Sequence, residues 1–238
     1  MRLLVLLCLS VGLPLAAADA DWAIVPGVRI GPITASTARA DLDRVFPAGA
    51  VQDGEIELDE GVVQQGTFVY RTIPSQTLAI SWNEAGHPKQ IFVCFGLRRG
   101  ACKWEAPPGV KIGTRLNELE TMNGKPFTID GFGLNYGGNV ESWEGGKLEA
   151  LDCNGRVVLT LDGNRSGGEY VPALTSEERR SITGDRTVSS VAPAMRKLNP
   201  RVVGILLQFA GLTHKIPMTR QNPSTTTTLV VMIHCSVL

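Results

Sequence analysis

The residues of this chain best placed to do chemistry are a cysteine pair, a glycine-rich aromatic segment and two charged clusters. Cys94 and Cys102 bracket Phe-Gly-Leu-Arg-Arg-Gly-Ala, a short loop between two ordered segments. In an oxidising compartment their bridge is the favoured pairing, and closing such a loop stabilises by roughly 2–3 kcal/mol. Cys153 and Cys235 are left over, and other pairings stay open. Arg98 and Arg99, with Lys103, fall near the tip of that loop. Tethered cations there suit contact with an acidic protein surface, and they equally suit an ordinary exposed loop.

Gly131-Phe-Gly-Leu-Asn-Tyr-Gly-Gly138 is the second candidate. Its glycines would let a ligand approach the backbone, with Phe132, Tyr136 and Trp143 as a stacking wall. The competing reading, which the residue types favour, is a glycine-kinked strand and turn whose aromatics pack on a helix. Asp53, Glu55, Glu57 and Asp59 alternate and Glu60 follows, a pattern that could ligate calcium. Leu58 occupies the position where an EF-hand loop needs glycine, so a solvated acidic loop is expected.

Signatures of catalysis are missing from the sequence. There is no Gly-x-Ser-x-Gly elbow, no His-Glu-x-x-His and no Gly-x-x-x-x-Gly-Lys. His87, His214 and His234 are scattered and no Cys-x-x-Cys occurs, so no metal site, cofactor or catalytic residue is assigned. Carboxylates distant in sequence can still meet in space, which keeps a periplasmic hydrolase as the alternative.

The elements that must position these residues are announced by a repeat. Trp22-Ala-Ile-Val-Pro-Gly-Val-Arg-Ile-Gly31 recurs as Trp104-Glu-Ala-Pro-Pro-Gly-Val-Lys-Ile-Gly113, and each copy runs into Thr-x-x-x-acid-Leu-acid, Thr37 to Asp43 and Thr114 to Glu120. Such self-similarity marks a duplicated structural unit. Each copy predicts a helix. Thr114 is expected as an N-cap with Leu116, Leu119 and Met122 on one face, ended by Asn123-Gly124 and Pro126. In the first copy Ser36 or Thr37 is the expected cap, with Leu42, Val45 and Phe46 inward.

Strands follow each helix. Thr67–Tyr70, Thr77–Trp82 and Gln90–Cys94 read as a meander, and Lys147–Asp152 with Arg156–Leu161 read as a hairpin around Cys153-Asn-Gly155. Thr175-Ser-Glu-Glu178 predicts a capping box, Pro193–Leu198 a helical turn, and Arg201–Phe209 a buried closing strand.

The ends of the chain differ from its body. Arg2, the apolar run Leu3–Leu15 and the small residues before Asp21 have the layout of a secretory signal peptide, and that apolar run is too short to span a bilayer. The chain carries 23 basic and 23 acidic residues, which does not point to nucleic acid. Residues 163–238 hold 9 Lys/Arg against 4 Asp/Glu, so the C-terminal quarter is basic and suits weak contact with a membrane surface. Residues 210–238 contain a threonine run and an apolar decapeptide, and are expected to be a poorly ordered tail.

Ile112-Gly113, Glu118-Leu119, Gly124 and Pro126 together resemble the repeat of small outer-membrane lipoproteins related to the E subunit of the β-barrel assembly machinery. In a looser way they resemble the repeat of the β-lactamase inhibitor proteins. The resemblance covers about twenty residues per copy, and implies a helix packed on an antiparallel sheet with a tandem pair forming a concave protein-binding face. No lipobox is present, and the first copy lacks the Gly-x-Pro ending. Residues 119–148, with Asn123-Gly-Lys-Pro-Phe127, also resemble a family of uncharacterised exported bacterial proteins.

The expectation is therefore an α+β protein of two tandem units, each a short helix on an antiparallel meander. Residues 1–20 are the signal peptide, 21–103 and 104–163 the units, 164–209 the closing helix and strand, and 210–238 the tail. The expected function is a periplasmic or secreted, non-catalytic module that contacts another envelope or extracellular protein, inhibitor-like or assembly-factor-like. Cys94, Cys102, Arg98, Arg99, Phe132, Tyr136 and Trp143 are its candidate residues.

Overall fold

The computed structural model describes residues 21–58, 61–97, 101–133, 137–152, 155–162 and 173–209. Residues 1–20, expected as a signal peptide, residues 210–238, expected as a tail, and Asp59, Glu60, Arg98, Arg99, Tyr136, Cys153 and Cys235 lie outside them. The fold is mixed α+β, mostly antiparallel sheet with a few short helices. Strands β1 (Ile24–Val25), β2 (Arg29–Ile30) and β3 (Ile33–Thr34) form a small sheet, followed by helix α1 (Arg39–Val45). Then come β4 (Val51–Glu57), β5 (Val63–Val69), β6 (Leu78–Trp82) and β7 (Pro88–Val93).

After helix α2 (Leu116–Asn123) the chain makes β8 (Thr128–Asp130), β9 (Val140–Ser142), a 3-10 helix over Lys147–Asp152 and β10 (Gly155–Asp162). Helix α3 (Ser176–Ser181), β11 (Thr187–Ser189), helix α4 (Pro193–Leu198) and β12 (Arg201–Phe209) close the fold. The main sheet has the order β10-β12-β7-β6-β5-β4, with every neighbouring pair antiparallel. A third sheet has the order β11-β8-β9.

Period-two alternation divides the main sheet into two faces. One register row, Leu159–Ile205–Val93–Leu78–Val69–Val51, crosses all six strands facing the principal core. Leu42 of α1, Leu116 and Leu119 of α2 and Met195 of α4 fill that same core. Trp104 and Trp143 are each 1 % exposed within it. Burying aromatics of this size is worth several kcal/mol at about 25 cal/mol per Å2. The adjacent row, Val158–Leu206–Phe92–Ala79–Phe68–Gln52, faces the opposite way.

The two repeated segments share their glycine turns and their entry into a helix, although only the first builds a small three-stranded sheet. Gly27 and Gly109 turn the chain at positive φ, and Gly31 and Gly113 do so again four residues on. The Thr37 hydroxyl accepts from the Thr34 N–H at 2.9 Å, and that of Thr114 from the Lys111 N–H at 3.0 Å. These threonines therefore close the preceding turn, and the helix N-caps are Ala38 and Arg115, not Ser36, Thr37 or Thr114. The N-cap N–H groups donate instead to the acids three residues on, Asp41 at 2.8 Å and Glu118 at 2.6 Å. Leu42 and Phe46, four residues apart, are buried, while Val45 falls off that stripe and is 49 % exposed, contrary to the inward position expected for it.

Two further expectations are corrected. Lys147–Asp152 is a 3-10 helix rather than a strand, because Leu148 and Leu151 sit three apart and both enter the core. Buried Asn123 fixes that helix: its amide donates to the carbonyls of Lys125 and Trp143 and accepts from the Leu148 N–H, all at 3.0 Å. The acidic run from Asp53 is not a solvated loop through Glu57 but the edge strand β4, since Val51 and Ile56 bury against the sheet on either face. The predicted segments Thr77–Trp82, Pro193–Leu198 and Arg201–Phe209, and the Thr175 capping box, are present.

Candidate protein-contact face

Cys94 and Cys102 are joined, with Cα atoms 6.0 Å apart. The bond ties the end of β7 to the strand-like segment that leads into the second repeat. Lys103 donates its N–H to the Ser75 carbonyl at 2.9 Å, which holds the far side of the loop to the β5–β6 connection. The loop's first residue, Phe95, is directed onto the sheet face opposite the helices. Its ring lies 5.8 Å from that of Phe92 and 6.2 Å from that of Phe68. Ile56, Phe68 and Ala79 form a second small core there, half covered by Leu58, Phe92 and Phe95. The Arg71 guanidinium lies over the Phe68 ring, 4.4 Å from its centroid.

This outer face carries one carboxylate among its described strand positions, Asp162 at the end of β10, paired across from Arg201. Its other side chains include Gln52, Ile56, Phe68, Ala79, Phe92, Leu206 and Val158, by alternation from the paired register. Phe92, Leu206 and Val158 remain partly exposed in one row. No described helix contributes a residue to the small core on this side. Amide and apolar side chains dominate this face, and the described start of the crosslinked loop borders it.

The carboxylates lie on the other side of β4. Asp53 accepts from the Arg39 guanidinium at 2.7 Å and from the Thr67 hydroxyl at 2.7 Å. These bonds, Arg39 first, hold the Asp53 carboxyl below its usual range. The Trp82 indole N–H donates to the same Thr67 hydroxyl at 3.0 Å. The arrangement locks α1 to the sheet, a structural task that sequence reading missed because its members are scattered over 39–82.

The glycine-rich aromatic candidate resolves into packing where it is described. Trp143 is 1 % exposed with its ring 5.0 Å from Phe127. Phe132 is 7 % exposed and is bracketed by backbone bonds with Ile182 and Gly184. A side chain at Gly138 would overlap the Leu161 carbonyl, so close backbone approach is used by the fold itself. Phe132 and Trp143 are thus held inside the molecule instead of lining an open wall.

Two acids could serve a hydrolytic reading. Burial pushes the Asp152 carboxyl up to about 6, against the nearby Arg156 that pulls it down, with Glu149 adding to the rise. Burial also raises Asp130, with Glu141 and Asp185 adding to the rise and Arg156 opposing it. Among the described residues no three His, Cys, Asp or Glu come together in a way that could hold a metal ion. A shallow open groove of about 520 Å3 lies where the two repeats meet, lined by Trp22, Ile24, Lys103, Glu105 and Pro107 among others. Trp22 stacks edge-on to Trp104 at 4.9 Å, and the Lys103 ammonium sits 5.0 Å from the Trp22 ring centroid.

Protein-family models, curated proteins and solved structures provide no match to this chain. Among the described residues no helix is long and apolar enough to cross a membrane.

Proposed function

We propose that this protein is an exported, non-catalytic binding module that contacts another envelope or extracellular protein through the outer face of its main sheet and the Cys94–Cys102 loop. One observation carries this reading: the crosslinked loop lays Phe95 against Phe92 on a sheet face to whose small core no described helix contributes, and whose one strand carboxylate, Asp162, lies two strands away at the end of β10. The described start of the loop is therefore continuous with that face. The disulfide supports an oxidising, periplasmic or secreted location. The paired turn, threonine and helix geometry of the two copies supports a duplicated origin, each unit beginning at Trp22 and Trp104. The likeness to assembly-factor and inhibitor repeats adds the expectation that the partner is a protein.

The test is capture of envelope proteins by the immobilised full-length protein and by a variant carrying Phe92→Lys and Leu206→Lys. A saturable partner retained by wild type and by Val191→Lys, a change at an exposed site in a turn, but lost by the double variant is the expected result. Equal capture by all three places contact elsewhere, and absence of any saturable partner moves effort to hydrolase substrates around Asp130 and Asp152.

A further inference from the structure

The main sheet ends on β4, a seven-residue strand with no described strand on its outer side. Its ladder with β5 keeps one register throughout, from Val51↔Val69 to Glu57↔Val63. The Tyr70 N–H donates to the Ala50 carbonyl at 2.8 Å, and the Leu58 N–H to the Val62 carbonyl at 2.7 Å. Antiparallel pairing alternates hydrogen-bonded and non-hydrogen-bonded pairs. With Ala50 and Leu58 at bonded positions, the even residues of β4 face β5. The backbone N–H and C=O groups of Val51, Asp53, Glu55 and Glu57 therefore point outward, away from β5.

The residues with outward backbone groups are also the ones that carry charge. Asp53, Glu55 and Glu57 are exposed and share one face of the strand. A strand added antiparallel to this edge would form its bonded pairs with these three residues. Its opposing side chains would then stand directly across from Asp53, which Arg39 already pairs, and from Glu55 and Glu57, where opposite charge is favourable and like charge is not. That arrangement excludes antiparallel pairing of β4 with a second copy of itself in this register, because acids would face acids.

We propose that β4 is a strand-addition edge that takes an extended basic segment of a partner protein, with lysine or arginine at every second position. The inference rests on the protein-binding reading above and supplies the chemistry of the recognised segment. Backbone bonds to Asp53, Glu55 and Glu57 would provide the docking, and the carboxylates of Glu55 and Glu57 would select the charge pattern. The intervening side chains of the segment would lie on the outer face beside Gln52 and Ile56, continuing the contact surface already described.

The probe is a blocked fluorescent nonapeptide with lysine at alternate positions and valine or threonine between, titrated into the full-length protein. Two isomers carry the same charge: one is N-methylated on its lysine amides, which would face β4, and one on the intervening amides, which would face away. The expected result is saturable binding of the parent, little change on methylating the outward amides, and a loss of about tenfold or more on methylating the lysine amides. Glu55→Lys with Glu57→Lys should abolish binding of the basic peptide and confer binding of the corresponding glutamate peptide. Both sites are exposed, so an unchanged thermal unfolding curve is expected for that variant.

Glu55→Pro is a second probe, because it deletes only an outward donor, a change edge strands tolerate. It should weaken parent binding while leaving the fold intact. No saturable binding, or equal binding of the two methylated isomers, overturns the inference and leaves the acids as guards against edge-to-edge association. Partner capture that depends on Phe92 and Leu206 but survives the β4 changes would sink the edge proposal alone.

Discussion

At the scale of single residues the informative groups are those whose surroundings oppose their chemistry. Asp152 is the clearest, since burial lifts its carboxyl to about 6 from an ordinary value of 3.8. The raised value means that the folded state holds its proton after the unfolded chain has lost it. Stability from this group is full below about pH 4 and is lost as pH rises through about 6. A neutral amide would avoid that loss while still accepting the hydrogen bond from the Val157 N–H. Asp152→Asn should therefore match wild type near pH 4 and exceed it by on the order of 1–3 kcal/mol above pH 7 in urea unfolding. A difference that does not change between those pH values would show that the carboxyl titrates normally. Should Asp152 instead be an acid of an unrecognised hydrolase, the same substitution would trade activity for that stability.

At the scale of elements the repeat teaches more than similarity of sequence. Gly31 and Gly113 occupy equivalent positions, but for different reasons. A side chain on Gly31 would come within 3.0 Å of the Asp21 carbonyl and 3.1 Å of the Trp104 ring, whereas at Gly113 no atom lies within 4 Å. Gly113 is required only by its φ of 98°. Alanine at Gly113 should cost about 1–3 kcal/mol from backbone strain alone. Alanine at Gly31 should cost more, since rigid neighbours must also move. Equal losses in chemical denaturation would contradict this distinction. Such elements were legible in sequence where one local rule decided them: the Thr175 capping box, Pro193–Leu198 and the apolar run of β12. They were hidden where a distant partner decided. Thr37 and Thr114 look like caps until the preceding turn claims their hydroxyls. Lys147–Asp152 alternates like a strand until Asn123, 25 residues away from Leu148, fixes the first buried leucine. Likewise the strands β1–β3, β8, β9 and β11 are only two or three residues long, too short for a period to show. As for the contact face, Cys94–Cys102 was legible from spacing. The shared placement of Phe92, Phe95 and Leu206 was not, because only the six-strand register puts them on one side.

At the scale of the molecule the sequence repeat and the sheet cut the chain differently. Residues 21–103 contribute β4 through β7, residues 104–163 contribute β10, and β12 enters between them, paired to both β10 and β7. The second copy also holds β12 at its start, with the Gly113 N–H bonded to the Val202 carbonyl and the Val202 N–H to that of Thr114, each at 2.8 Å. Trp104 closes the core under the first copy, its indole N–H donating to the Gln76 carbonyl at 2.8 Å. A fragment of 21–103 would therefore expose the apolar edge of β7 and the pocket that Trp104 fills. A fragment of 104–209 would keep the β10–β12 pair but lose the strand on its other side. Neither piece buries its sheet alone, whatever its history as a repeat. Expressed separately, each should give poorly dispersed amide NMR spectra, and mixing them should restore a dispersed spectrum with the Trp22 and Trp104 indole signals shifted as in the intact protein. Independent, cooperative unfolding of either fragment would show that the units are domains and that the six-stranded sheet joins two folds instead of making one.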